Sequence, residues 1–373
     1  VDFSYTEEQQ MLQESVQKFI QKSYDFETRG KIIETEKGFS EENWQLFAEL
    51  GWLTVPFDEA DGGFGGSAVD LMVILEEFGK AMLVEPFVAS AVLSGRLISE
   101  QGTAEQKAEL LPQIMEGKLQ LACAFAEPSS RYNLANVKTS AVTDGEFVVL
   151  NGSKVAVLNG SNADILLVVA RESDYEGLSV FMLDPLSSGV SIKAYANADG
   201  KKAAEIELKD VSIPVSSRLG AAGSALPTLQ LAVDSAILAV SAEAVGAMDV
   251  LLHKTVEYSK TRKQFGTAIG TFQALQHRMA DMFIECQLAR SIVVMAAMKL
   301  DSGDEYIEKT KAVSAAKSRV GKAIFKVGQE AIQIHGGIGM TNELDVAHLF
   351  KSVTTAEIMF GDTDYHTARF ASL

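Results

Sequence analysis

The sequence predicts a mainly α-helical protein with a β domain in its middle: helices over residues 1–119, a small β unit over 120–216 and a second helical bundle over 217–373. Three observations predict it. In the first third, apolar residues recur at helical spacing behind capping residues. After Leu119, short runs rich in β-branched residues and punctuated by Asn-Gly replace that pattern. No proline follows Pro227 as far as Leu373, and proline is the residue a helix interior tolerates least.

At the N-terminus, Thr6 and Gln9 fit a capping box, and Leu12, Val16, Phe19 and Ile20 follow at helical spacing. Ser40 caps a second helix in which Trp44, Phe47 and Leu50 share a face and Gly51 makes the stop. The runs "SAVDLMVILEEFGKA" and "GTAEQKAELLPQIMEGK" continue the theme. In the middle, "EFVVLNGSKVAVLNG" holds two apolar runs that each end in Asn-Gly, the pair that favours a tight hairpin turn. "DILLVVAR", "GLSVFMLD" and "AAEIELKDVSIP" supply further strands, the last with alternating Ile206 and Leu208. Beyond Pro227, "LQLAVDSAILAVSAEAVGAMDVLLHKTVEYSK" has the spacing of a long packed helix, and its Ala, Ser and Gly permit close backbone approach.

Of 373 residues, 47% are hydrophobic and 22% charged, the balance of an ordinary globular protein. A formal charge of −17 repels phosphate backbones and anionic lipid, which argues against nucleic-acid and membrane-surface binding. It still permits an anionic cofactor where a few Arg, Lys and backbone N–H groups converge. Cys123 and Cys286, the only cysteines, lie among apolar residues and read as packed thiols in a reducing compartment. With five scattered histidines they offer no zinc spacing. There is no signal-peptide pattern and no apolar run near the roughly 18 residues of a membrane span, so a cytoplasmic location is expected.

Two stretches carry candidate chemistry. "KTRKQFG", Lys260 to Gly266, concentrates cations in an acidic chain and fits either an exposed basic helix end or a phosphate site. "IQIHGGIGM", Ile332 to Met340, places Gly336 and Gly337 after a helix. Paired glycines make a helix stop, or let a backbone approach a pyrophosphate closely, with Gln333 and His335 adding polar reach.

In this order, with "AFAEP" (Ala124 to Pro128) ahead of the strands, these stretches resemble the acyl-CoA dehydrogenase family over essentially the whole chain. The resemblance implies an N-terminal helical bundle, a small β-barrel-like middle domain, a C-terminal four-helix bundle, and FAD held from both sides at a subunit interface. For contacts into a neighbour's FAD it implies Arg262 at the pyrophosphate, Gln264 and Phe265 beside it, and Phe272 and Gln273 in the next region. Gln333, Gly336 and Gly337 match the adenosine and pyrophosphate loop.

Contacts to the chain's own FAD depart from the family pattern. The usual Thr-Glu-Pro-Gly-Ala-Gly-Ser-Asp run is here "AEPSSRYN", Ala126 to Asn133, so a flavin-bonding hydroxyl becomes Ala126, and a glycine and a serine become Arg131 and Tyr132. The Lys-x-Trp-Ile-Thr-Asn-Gly strand is "KVAVLNG", Lys154 to Gly160, with Ala156 for the flavin-stacking Trp and Leu158 for the Thr. Losing two hydroxyl hydrogen bonds and an aromatic stack forfeits about 2–4 kcal/mol.

Family members oxidise the α,β bond of an acyl-CoA thioester, a glutamate removing the α-proton as hydride leaves for the flavin. The two usual seats of that glutamate align with Phe360, just before Gly361, and with Ala236; neither side chain accepts a proton. Glu243, two turns beyond Ala236 on nearly the same helix face and about 10 Å along it, is the candidate replacement base, or else a buried charge paired with Arg or Lys. "GDTDYH" reads as a capping and turn cluster with His366 as a polar partner inside it, although Asp362 and Asp364 can approach a site. The asymmetry predicts the smaller, base-lacking subunit of a heteromeric (α2β2) dehydrogenase. Its expected associates are a larger catalytic subunit, an acyl-CoA such as a steroid side-chain thioester, and electron-transfer flavoprotein as acceptor. A self-sufficient homo-oligomer using Glu243, a flavin-free scaffold and an oxidase on the same fold are the alternatives.

Overall fold

The computed structural model describes residues 5–373. The chain runs through α1 (Glu7–Ser23), α2 (Phe26–Ile33), α3 (Glu41–Glu49), α4 (Ala68–Ala81), α5 (Arg96–Gln101) and α6 (Ala104–Met115). Seven strands follow: β1 (Leu121–Ala124), β2 (Ser140–Asp144), β3 (Phe147–Leu158), β4 (Ile165–Glu172), β5 (Ser179–Leu183), β6 (Val190–Ala196) and β7 (Lys202–Pro214). The last part holds α7 (Ala225–Thr261), the short pair β8 (Lys263–Gln264) and β9 (Thr267–Ala268), then α8 (Gln273–Asp301), α9 (Tyr306–His335), α10 (Asp345–Ile358) and α11 (Thr363–Ser372). This is the predicted helical–β–helical order. Two compact units result: one gathers residues up to Gly30, Ala68–Leu83 and Ile237–Leu373, the other Lys31–Ser67 and Val84–Ala236.

In the helical unit, Thr6 Oγ1 accepts from the Gln9 N–H, and Gln9 Oε1 accepts from the Thr6 N–H, completing the expected capping box. α4 and α7 cross at two glycines. A Cβ added to Gly79 would lie 1.9 Å from the Glu243 carbonyl oxygen, and one added to Gly246 would lie 1.9 Å from that of Glu76. Small residues on α7 therefore exist so that backbones can touch. Contrary to the sequence expectation, α7 is long and apolar enough to cross a membrane by length and composition. Its most apolar window is 72% buried within the protein, as befits a core helix.

In the other unit, Ser40 Oγ caps α3 by accepting from the Asn43 N–H, and Gly51 turns the chain at φ 77°. Trp44 and Phe47 are buried, but Leu50 is exposed and does not share their face. The sheet has the order β1-β4-β2-β3-β7-β6, with β5 paired to β4. Leu150, Val157, Leu166, Val168, Phe181 and Ile206 fill its core. The first Asn-Gly is not a turn. β3 runs straight through it as a bulge against β7, because Asn151 exchanges hydrogen bonds with Asp210 (Oδ1 from the Asp210 N–H, 2.8 Å; Nδ2 to Asp210 Oδ1, 3.1 Å). Gly152 is needed there, since a Cβ would meet Thr139 Oγ1 at 2.4 Å. The second Asn-Gly ends the strand, with Asn159 at φ 60°. Cys123 and Cys286 are free and buried, and burial pushes both thiols up to about 12.

Candidate cofactor site

Arg262 follows the last residue of α7. Its N–H donates to the Tyr258 carbonyl (2.8 Å) and its carbonyl accepts from the Ile269 N–H (2.8 Å), which closes the β8–β9 hairpin. Phe265 and Gly266 form the hairpin tip with φ of 54° and 81°, the positive-φ pair of a type I′ turn. The tip leaves Phe265 93% exposed, edge-on to Phe272 at 6.1 Å. Phe272 also sits at the N-cap of α8, ahead of Gln273. Arg262, Gln264, Gln273 and, at the end of α9, Gln333 are all exposed, and among the described residues their side chains make no hydrogen bond or ion pair.

The second segment leaves the bundle beside the first. His335, the last residue of α9, is buried and stacks on Tyr258 of α7 with ring centroids 4.5 Å apart and planes at 27°. Its Nδ1–H donates to the Ala331 carbonyl (2.8 Å). Gly336 follows at φ 64°, and a Cβ built at Gly336 or Gly337 meets nothing within 4 Å. An unpaired guanidinium and an open, exposed glycine pair thus start from adjoining positions. That donor set fits the anionic diphosphate of a dinucleotide.

Neither expected seat of the base carries a proton-accepting side chain: they hold Ala236 and Phe360. Ala236 is fully buried. Phe360 and Gly361, at φ 57° and 123°, make the corner between α10 and α11. Lys317 of α9, itself buried, donates to the Glu357 carbonyl (2.6 Å) and the Gly361 carbonyl (2.8 Å). Burial lowers its ammonium to about 8. Glu357 Oε1 accepts from the Thr363 N–H (2.9 Å), and Asp362 caps α11 by accepting from the Tyr365 N–H (2.8 Å). His366 Nε2 donates to the Phe360 carbonyl (3.1 Å), and burial drives the imidazole down to about 3. "GDTDYH" is therefore a cap, with His366 its polar partner. Glu243 is half-buried on α7, where its backbone lies under Gly79.

On the β side, a latch holds the loop of the run Ala126 to Asn133. Glu127 is buried and accepts from the Lys138 N–H (2.7 Å), the Thr139 N–H (2.9 Å), Thr139 Oγ1 (2.6 Å) and Lys154 Nζ (2.8 Å). Burial opposes its charge, but the bonds from Lys154 and Thr139 outweigh that and keep the carboxyl below the usual range. Ala126 takes part only through its backbone, accepting from the Val155 N–H (3.0 Å). Ala156 sits exposed at φ 52°, and Arg131, at φ 48°, lays its guanidinium over the Tyr132 ring at 5.7 Å. The backbone frame is kept, yet it carries no hydroxyl at 126 and no ring at 156. These residues do not fit a flavin ring as the outward segments fit its diphosphate. The Lys154–Glu127 and Lys317 latches went unread in the sequence; a lysine set in an apolar strand or an Ala-rich helix is the signal that marks each.

The chain belongs to the acyl-CoA dehydrogenase family. The family's N-terminal, middle and C-terminal domains match residues 6–118, 122–211 and 228–372. Its members are FAD-dependent oxidoreductases acting on CH–CH bonds. The chain is 29% identical over 372 residues to the short-chain-specific acyl-CoA dehydrogenase of Clostridium acetobutylicum, covering 98% of this chain and 97% of that protein. Among solved structures, the FAD complex of PigA superposes with a TM-score of 0.92 at 26% identity, over 100% of this chain and 98% of that one. The Tcur3481-Tcur3483 steroid ACAD, solved as a variant, superposes with a TM-score of 0.87 at 29% identity, over 98% and 97%.

Proposed function

We propose that this chain is the smaller, base-lacking subunit of a heteromeric acyl-CoA dehydrogenase and completes FAD sites seated mainly on a larger catalytic subunit. The observation that carries this reading is the contrast between two sets of side chains. Arg262, Gln264, Gln273 and Gln333 are exposed and unpaired among the described residues, beside an open Gly336–Gly337, whereas the base seats hold Phe360 and Ala236. In the assembled enzyme Arg262 neutralises the diphosphate, Gly336 and Gly337 admit it to backbone contact, and Phe265 and Phe272 cover the cofactor's apolar faces. Bound FAD supplies the hydride acceptor for α,β-desaturation of an acyl-CoA. The proton is removed by the larger subunit, because nothing at 360 or 236 can take it.

The likeness to a steroid ACAD whose name joins two designations supports a heteromeric assembly and a bulky acyl group. The likeness, at 29% identity, to a chain from a structure titled for an electron transferring flavoprotein supports such a flavoprotein as the acceptor. The test is Arg262→Ala in the enzyme purified through a tag on this chain from its native host. Flavin content falls while the melting of this subunit stays as in the wild type; unchanged flavin content refutes the reading.

A further inference from the structure

The two FAD-facing segments are far apart in sequence, so something must fix the gap between the Arg262 guanidinium and the Gly336–Gly337 backbone. We infer that the Tyr258–His335 ring pair is that device, and that both are positioning residues for the diphosphate grip. The inference rests on the reading proposed above.

Each arm hangs from one ring. The Arg262 N–H is bonded to the Tyr258 carbonyl, so the hairpin starts from the residue whose ring forms half of the stack. His335 provides the other half and immediately precedes Gly336, whose N–H is tied back to the Gln333 and Ile332 carbonyls. The imidazole cannot turn freely, because Nδ1–H is held by the Ala331 carbonyl at 2.8 Å. The loop after it is rolled onto the same residue: a Cβ on Gly339 would lie 2.9 Å from His335 Cβ. The hairpin is pressed onto α7 in the same way, since a Cβ on Gly270 would lie 2.9 Å from Ser259 Oγ. One turn before Tyr258, Lys254 pairs with Asp345 at 2.7 Å and so ties α7 to the start of α10, where the chain leaves the loop. Both ends of the glycine loop are thereby fixed to α7, one by stacking and one by charge. Burial lowers the His335 imidazole from its ordinary value, which suits a neutral stacked ring.

A stack of this kind contributes free energy equivalent to roughly a tenfold change in an equilibrium constant at its upper end. In the native assembly, His335→Ala is expected to speed FAD release by up to about tenfold, read as the return of free-flavin fluorescence after dilution. His335→Phe keeps a ring and restores release to near the wild-type rate. His335→Leu fills the volume without a ring and behaves like Ala. If Phe and Leu rescue equally, the space is being filled and the stack positions nothing. If His335→Ala leaves release unchanged while Arg262→Ala speeds it, the inference fails and the proposed function stands. If Arg262→Ala itself changes nothing, the proposed function is what fails. Should His335→Ala prevent assembly, the comparison of Phe with Leu decides alone.

Discussion

Replacing Lys317 with Met removes the group that holds the α10–α11 corner at Phe360 and Gly361. Two buried carbonyls, those of Glu357 and Gly361, lose donors at 2.6 and 2.8 Å. Leaving both unsatisfied costs about 2–6 kcal/mol. Relief of the buried ammonium offsets about 3 kcal/mol of that, from a shift of the group to about 8 against 10.5 for an exposed lysine. The net change at neutral pH is therefore modest, and the pH profile carries the test. Because the folded-state value lies below the unfolded one, the unfolded chain holds the proton more tightly between about pH 8 and 10.5. Wild-type stability contributed by this group is complete above that window and is lost as pH falls through it. Urea melts at pH 7.5 and pH 10 measure the difference between wild type and Lys317→Met. The gap is expected to widen at the higher pH by up to about 3 kcal/mol. A gap that stays constant between the two pH values would refute a buried, charged Lys317.

The remaining expectations concern other parts of the same frame. Glu127→Gln leaves Lys154 buried without its counter-charge, and unfolding by urea should register a loss of about 3–5 kcal/mol. Gly79→Ala pushes a methyl against the Glu243 carbonyl and should cost about 1–3 kcal/mol in the same assay, with an exposed Gly303→Ala as the neutral control. His366, held neutral by burial down to about 3, contributes stability that is whole above pH 6.5 and is lost as pH falls from there toward about 3. His366→Gln should flatten this acid limb in a pH-dependent melt. Cys123 and Cys286 should resist iodoacetamide in the folded protein and react in urea; rapid native labelling of either contradicts their burial.

The helical–β–helical order was legible because its signals are local: a Thr6–Gln9 capping box, a Ser40 cap, and a long tract without proline. The Asn151–Gly152 bulge was not, because Asn-Gly announces a turn only when no neighbouring strand claims it. Asp210 and Thr139, both distant in sequence, decide the outcome there. Leu50 leaves the Trp44–Phe47 face for a related reason, since it caps the C-terminus of α3 past the part of the helix that packs. The proposed cofactor contacts stand in short runs, and the proposed lack of a base rests on the single residues Phe360 and Ala236. What holds those runs in place could not be read. The Tyr258–His335 stack, the Lys317 latch and the Glu127–Lys154 pair each join residues from different elements, and no spacing in the sequence records them.

The most direct test of the account is flavin absorbance per polypeptide, with native mass, for this chain purified alone and for the assembly captured from its native host. The chain alone is expected to be colourless or unstable, and the assembly yellow with a second, larger dehydrogenase chain. A yellow homo-oligomer of this chain with one FAD per polypeptide, turning over an acyl-CoA and losing that turnover in Glu243→Gln, would contradict it.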